Sequence, residues 1–224
     1  NPDLLVRLNK HELYIKYMNT WNRDTVEKYF NVSRETLDKF DIYVDLLQKW
    51  QSKVNLIGPS TTEDIWGRHI ADSLQLLKFI PLDIKNYIDL GSGAGIPGLI
   101  LAIYYDDPSI NFHLIESNHK KCAFLQTAAT HCNVQIIIHE DRIESLHINN
   151  NLKADIITAR ALAPLSKLMD LCYPFVWKKT VLLLQKGKDV KRELTNSSIY
   201  LNMNVDIEQS IVDTDSSILI IRSK

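Results

Sequence analysis

One short segment of the sequence has the residue types and the spacing of a ligand-binding loop. The stretch 89–98 reads DLGSGAGIPG, and it begins inside an apolar, β-rich run at 87–90. Glycines permit a tight turn and let a ligand approach the backbone, and the N terminus of a helix offers unpaired N–H groups. Pro97 suits the first turn of such a helix. We therefore expect a small ligand at this loop, between a strand and a helix.

Two kinds of cofactor fit these glycines. Gly93, Gly95 and Gly98 match the G-x-G-x-x-G fingerprint of dinucleotide-binding domains, and Glu116 lies at about the right distance for the acid that binds a ribose. The pattern acid-x-G-x-G-x-G, which starts at Asp89, is instead typical of loops that bind S-adenosylmethionine (SAM). The glycines alone leave both cofactors open.

The acids near the loop favour SAM. Asp89 can serve the cationic amino acid end of that cofactor, and Glu116 ends the next predicted strand, where it can accept both ribose hydroxyls. A closing antiparallel strand, predicted below, is also usual in class I SAM-dependent methyltransferases and uncommon in NAD-binding domains. We therefore expect SAM as the cofactor, with S-adenosylhomocysteine as the product.

The chain after Pro81 alternates short β-rich runs with helical segments. The predicted strands are 87–90, 111–115, 134–138, 155–158, 181–184, 202–208 and 217–221. Alternation of the first five with helices predicts a parallel sheet covered by helices on both faces. Because no helical pattern separates the last two, we expect them to form an antiparallel pair. The predicted fold class is thus α/β, a class I SAM-dependent methyltransferase with a Rossmann-like, mostly parallel seven-stranded sheet and one antiparallel strand.

The chain before the sheet is expected to be helical. Ser33 is a plausible N-cap for a helix with a regular apolar stripe, which Gly58 and the proline after it should end, and Ser60 fits a capping box for a second helix. We predict an N-terminal helical cap at 1–81 and a SAM-binding domain at 82–224.

Composition sets looser limits. A formal net charge of −1 over 224 residues neither indicates nor excludes a nucleic-acid partner, because a local basic face decides that interaction. The three cysteines have no metal-ligand spacing and are expected to be reduced. No run of about 18 apolar residues occurs, which argues against a membrane span. We expect a cytoplasmic protein without a metal site, and a monomer because no oligomerisation signal is visible.

Six segments resemble one family, in the same order along the chain. They are WQSKVNL at 50–56, RHIADSL at 68–74, the glycine loop with its PG pair, RIE at 142–144, ARA at 159–161 and KG at 186–187. The chain resembles the bacterial small-subunit rRNA guanine-N7 methyltransferases of the RsmG (GidB) family. Gln51 stands where that family usually has Asn, Gln185 precedes the KG pair, and residues 1–30 show no match.

The resemblance implies methyl transfer from SAM to N7 of one guanosine in 16S rRNA, near the decoding site. The partner would be 16S rRNA or the small ribosomal subunit. N7 of guanine carries no proton, so an in-line attack on the methyl carbon needs alignment and electrostatics rather than a general base. A SAM-dependent methyltransferase for another substrate class is the alternative.

The candidate site residues fall into three groups. Those expected to bind the cofactor are Asp89, Gly91, Gly93, Gly95, Ile96, Glu116, Ile143, Glu144 and Arg160. Those expected to bind RNA are Arg68, His69, Arg142, Lys186 and Lys188. Arg160 and Lys186 are also the candidate catalytic residues, since both end predicted strands at the sheet edge where α/β folds bind ligands. Arg160 suits a phosphate or guanine O6, with a structural salt bridge as the alternative.

Overall fold

A single mixed sheet forms the centre of the molecule. The computed structural model describes residues 20–149, 152–195 and 203–223. The seven strands are β1 Asn86–Leu90, β2 Asn111–Ile115, β3 Ile137–His139, β4 Ile156–Arg160, β5 Val181–Lys186, β6 Met203–Gln209 and β7 Ser217–Ser223. Their order is β3-β2-β1-β4-β5-β7-β6, and β7 runs antiparallel to both of its neighbours. The predicted mostly parallel sheet with one antiparallel strand is confirmed.

Two strand boundaries need comment. The third strand begins at Ile137 and not at 134, so the prediction was wrong by three residues. Asn133 adopts the left-handed conformation with φ of 49°, and the Val134 amide donates to the Ala129 carbonyl, so these residues complete the preceding helix. Residue 202, where the sixth strand was predicted to begin, lies outside the described residues.

Helices cover both faces of the sheet. They are α1 Arg23–Phe30, α2 Arg34–Gln51, α3 Asp72–Leu74, α4 Gly98–Tyr105, α5 His119–His131, α6 Ile143–Asn149, α7 Leu165–Cys172 and α8 Val190–Thr195. Two hydrophobic cores result. Tyr87 of β1 belongs to the core shared with α2, α4 and α5, whereas Ile88 and Leu90 belong to the core shared with α7. Side chains that alternate along β1 therefore pack against helices on opposite faces of the sheet.

The N-terminal helices follow the predicted pattern only in part. Ser33 caps α2 as predicted, because its hydroxyl accepts from the Thr36 amide. The helix ends at Gln51, well before Gly58, and the Gln51 side chain then accepts from the amides of residues 56 and 57 in the segment that follows. The predicted capping box at Ser60 was wrong. Residues Pro59–Thr61 form one short 3-10 turn.

The segment that follows is a wide helical turn that carries two of the candidate site residues. The Asp64 carboxylate accepts from the Gly67 amide at the start of a π-helix, Trp66–Ala71, which leads directly into α3 and a 3-10 turn at Gln75–Phe79. Arg68 and His69 lie on this π-helix. The described part of the cap packs into the same core as α4 and α5, while residues 1–19 lie outside the described chain. The boundary near residue 82 stays a prediction.

Candidate active site

Two neighbouring cavities open at the edge of the sheet where the parallel strands end. The first, about 350 Å³, is lined by residues that follow β1, β2 and β4, among them Gly91, Glu116 and Leu162. The second, about 380 Å³, is lined by residues of the π-helix, of β5 and of the β6–β7 turn. Arg160 and Ala161, at the end of β4, line both cavities. We call them the loop cavity and the outer cavity.

The glycine loop beside the first cavity has a backbone that other residues would not reproduce. Gly95 has a φ of 82°, and a Cβ atom there would lie 2.4 Å from Cβ of Leu99. Gly98 has little space as well, because an added Cβ would lie 2.7 Å from Cβ of Asp89. The loop therefore places the start of α4 directly against the strand that precedes it.

Asp89 holds this loop from within. Its carboxylate is buried, and it accepts from the Thr158 hydroxyl at 2.7 Å and from the Gly98 amide at 3.2 Å. Thr158 in turn accepts from the buried Tyr87 hydroxyl. Burial raises the pKa of Asp89 to about 6, although the Thr158 and Gly98 hydrogen bonds favour the carboxylate. Its contact to the cofactor's cationic end stays a prediction.

Glu116 joins the ends of β1 and β2. One carboxylate oxygen accepts from the Gly93 amide at 3.0 Å, and the other accepts from the Asn118 amide at 2.8 Å. The side chain is mostly buried but lines the loop cavity. An acid in this position presents oxygen acceptors at the cavity wall, which is what two neighbouring hydroxyls would need.

The remaining predicted cofactor residues divide into those that line the loop cavity and those that do not. Gly91, Ile143, Glu144 and Arg160 line it, and Ile143 supplies a buried apolar surface. Asp89, Gly93, Gly95 and Ile96 are absent from its lining. Ile96 is packed in the core on the N-terminal helix side of the sheet.

Arg160 is held by two side chains from the N-terminal segment. Its Nη1 lies 3.2 Å from Nδ1 of His69 and 3.3 Å from Oδ2 of Asp72. A guanidinium only donates, so Nδ1 of His69 is the acceptor and its Nε2–H donates to the Thr61 hydroxyl, 3.1 Å away. Burial, together with Arg160 and Arg68, lowers the pKa of His69 to about 3. His69 is therefore neutral and fixed in one tautomer.

Asp72 is the acceptor around which the outer cavity is organised. Gln75 donates to its Oδ1 at 2.6 Å, and Gln185 donates to its Oδ2 at 2.8 Å. Burial raises the pKa of Asp72, although the charges of Arg160 and Arg68 oppose the shift. Gln185 stands next to Arg160, as its register partner on the neighbouring strand.

The predicted RNA-binding residues lie in unequal environments. Lys186 is largely buried, and its ammonium contacts the Glu193 carboxylate at 2.8 Å and donates to the Ala163 carbonyl at 3.1 Å. Arg68 pairs with Asp213 in the β6–β7 turn. His69 is only 3% exposed, so it supports Arg160 instead of facing solvent. Arg142 and Lys188 are exposed, one beside each cavity.

Several residues of the site escaped prediction from sequence. Gln185 and Asp213 line the outer cavity, and two further cations, Lys121 and Lys167, line the loop cavity. For Gln185 the available signal was its place just before the KG pair, near the end of the strand that Lys186 completes. The turn that carries Asp213 has no local motif that marks it.

The described residues contain neither a cluster of the metal-binding type nor a membrane-spanning helix. Across residues 20–149, 152–195 and 203–223, no three His, Cys, Asp or Glu side chains group as they would around a metal ion. Within the same ranges, no helix combines the length and the apolar character that crossing a membrane requires.

The family model that matches this chain and the similar proteins carry the same description. The family model described as rRNA small subunit methyltransferase G matches residues 36–219. A ribosomal RNA small subunit methyltransferase G from Methylorubrum populi is 43% identical over 208 residues, which cover 92% of this chain and 97% of the relative. The protein of that name from Paramagnetospirillum magneticum is 41% identical, covering 85% and 90% of the two chains.

Solved structures share the fold at low sequence identity. A putative caffeoyl-CoA O-methyltransferase from Staphylococcus aureus superposes with a TM-score of 0.56 at 14% identity, covering 85% of this chain and 100% of its own. The plantazolicin methyltransferase BpumL, solved in complex with S-adenosylhomocysteine, gives 0.55 at 12% identity, covering 85% and 99%. The fold is therefore that of the class I methyltransferases.

Proposed function

Because the chain belongs to the rRNA small subunit methyltransferase G family, we propose that it is a SAM-dependent methyltransferase of small-subunit rRNA. The finer proposal is transfer to N7 of one guanosine in 16S rRNA. The observation that carries the methyltransferase proposal is the pair of adjoining cavities, the first beside the glycine loop and the second lined by charged side chains, with Arg160 in both. Transfer to N7 is what the family resemblance implies. The names of the relatives do not favour another substrate class.

The residues around the loop cavity fit SAM. Glu116 would accept the ribose hydroxyls, and the buried side chain of Ile143 would pack against the adenine. Gly91 lines the same cavity, and its lack of a side chain leaves room for the Leu162 side chain, which forms another part of the wall. When bound, SAM supplies a methyl group on a positively charged sulfur.

The outer cavity would receive the guanine. N7 has a lone pair and no proton, so the chain has to align the base and exclude water, and it needs no general base. Arg160 is suited to this task because His69 and Asp72 hold its guanidinium at the junction of the cavities. Arg160 would donate to O6 of the base or to a phosphate.

The predicted roles of the other cations follow their environments. Arg142 and Lys188 are exposed beside the cavities and would contact RNA phosphates. Lys186 and Arg68 are paired with acids, so they would act mainly by fixing the segments around the outer cavity. RNA contact by Lys186, Arg68 and His69, a catalytic role for Lys186, a cytoplasmic location and a monomeric state stay predictions.

The test of the function is a methylation assay with a positional readout. Purified protein is incubated with methyl-labelled SAM and either naked 16S rRNA or small subunits from cells that lack this activity. We expect label in a single nucleoside, identified as N7-methylguanosine by mass spectrometry and mapped by chemical cleavage at that base. Label in another nucleoside or in ribosomal protein would contradict the proposal.

A further inference from the structure

The outer cavity contains a buried hydrogen-bond acceptor without a donor. Gln185 lines this cavity and is 8% exposed, and its Oε1 has no hydrogen-bond partner among the residues that the structure describes. Buried carbonyl groups are nearly always paired, because an unpaired one has lost water without replacing it. A donor from outside the described residues is therefore expected at this atom, and the cavity that Gln185 lines is where a bound molecule could supply it.

Asp72 fixes the orientation of the Gln185 carboxamide. Nε2 of Gln185 donates to the backbone oxygen of Asp72 at 2.9 Å and to Oδ2 at 2.8 Å. In the reversed orientation, Oε1 would face these two oxygens, one of which belongs to a carboxylate. The assignment of the amide nitrogen and oxygen is thus set by its partners, and the acceptor lies on the side away from Asp72.

A donor stands beside this acceptor. Arg160 and Gln185 are register partners on β4 and β5. In the described part of the chain, the polar contacts of the guanidinium to His69 and Asp72 both involve Nη1. Since a guanidinium has five N–H donors, Nε and Nη2 remain for a substrate. The two neighbouring side chains therefore offer a donor and an acceptor side by side.

The order of these groups matches one edge of guanine. Around that base, the N7 acceptor, the O6 acceptor and the N1–H donor follow one another. Arg160 lines both cavities, whereas Gln185 lines the outer cavity and is absent from the lining of the loop cavity. With N7 directed to the loop cavity, O6 would meet Arg160 and N1–H would meet Gln185.

We propose that Gln185 determines base specificity by accepting a hydrogen bond from N1–H of the target guanine through Oε1. This inference rests on the proposed function. Adenine presents the opposite pattern, an amino donor at C6 and an acceptor at N1, so its N1 lone pair would face that of Oε1 and its amino group would face Arg160. Gln185 thus favours guanine over adenine, which also has an N7 atom that could be methylated.

The experiment measures base preference under single-turnover conditions. The substrates are 16S rRNA molecules, assembled by ligation, whose methylated position holds guanosine, inosine or adenosine. The test variant is Gln185→Met, which keeps the approximate size of the side chain but removes the acceptor. Gln75→Met is the matched control, because Gln75 also donates to Asp72 but does not line the outer cavity.

The wild type should prefer guanosine and accept inosine nearly as well, because inosine keeps O6 and N1–H. Gln185→Met should methylate guanosine more slowly and adenosine faster, which lowers the preference about 10- to 100-fold. Gln75→Met should keep the wild-type preference.

Three outcomes would overturn the role of Gln185. They are adenosine methylation by Gln185→Met no greater than that of the wild type, an equal loss of preference in both variants, and inosine methylated as poorly as adenosine. If the wild type leaves guanosine unmethylated, the proposed function itself fails.

Discussion

The two cavities lie side by side but are built in different ways. The loop cavity lies beside a glycine loop whose shape depends on its own backbone, as in the hydrogen bond from the Gly98 amide to Asp89, nine residues away. The outer cavity depends on side chains that are distant in sequence, since Arg160 meets His69 across 91 positions and Arg68 meets Asp213 across 145. The first should therefore fail when a loop glycine gains a side chain, and the second should fail when a single polar side chain is lost.

The largest effect is expected for Gly95→Ala in the loop. The φ of 82° is strained for alanine, and the new Cβ would overlap Leu99. We expect the free energy of unfolding to fall by about 2–5 kcal/mol and binding of S-adenosylhomocysteine to be lost. Denaturant unfolding and calorimetry measure both. Gly58→Ala is the control, because nothing lies within 4 Å of its Cβ position. A Gly95→Ala protein with normal stability and binding would show that the loop backbone is not rigid.

A smaller effect, confined to the chemistry, is expected for Arg160→Ala at the junction of the cavities. The variant loses the donor that would orient the base, so the single-turnover methylation rate should fall about 100-fold. Its circular dichroism spectrum should remain that of the wild type. Arg222→Ala, which removes an exposed ion pair with Asp206, serves as the control and should keep full activity. Full activity in Arg160→Ala would assign this arginine a structural role only.

The smallest effect concerns the pH dependence of the outer cavity. Because the pKa of His69 is about 3 in the folded chain and near 6.5 when unfolded, acidification below 6.5 protonates only the unfolded state. Stability from this residue is therefore complete above about pH 6.5 and decreases as the pH falls toward 3. Between about pH 7.5 and pH 5, the wild type should lose about 2 kcal/mol more than His69→Gln. The exposed His119 provides the control as His119→Gln. Equal losses in wild type and His69→Gln would mean that His69 is charged when folded.

The sequence was most informative where function depends on local structure. The glycine loop, Glu116 and the seven strands could be placed because turns, caps and alternating apolar residues are local signals. The sequence also placed Arg160 at the correct sheet edge, since strands that run parallel end at the same side. The sequence did not, by contrast, indicate that the second N-terminal helix contains a π-helical segment. The hydrogen bond from the Gly67 amide to Asp64 and the wide turn that follows have no distinctive local sequence pattern.

The outer cavity could not be derived, because its geometry arises from tertiary pairing. Nothing near Lys186 in the sequence indicates that its charge is taken up by Glu193, and nothing near Arg68 indicates Asp213. A lysine or arginine at a strand end looks like an RNA contact in the sequence. The sequence does not show whether that side chain is exposed to RNA or paired with an acid of the same chain. For the same reason the sequence predicts an RNA contact for His69 without indicating that this side chain is buried against Arg160.

One contact joins the N-terminal helices to the glycine loop. The hydroxyl of the fully buried Tyr43, on α2, donates to the Ala94 carbonyl at 2.8 Å. The loop therefore cannot open locally without breaking this hydrogen bond and loosening the helix above it. We therefore expect opening of the loop to be coupled to undocking of α2. Amide hydrogen exchange in α2 would then report ligand binding at the loop, even though no residue of that helix lines the loop cavity.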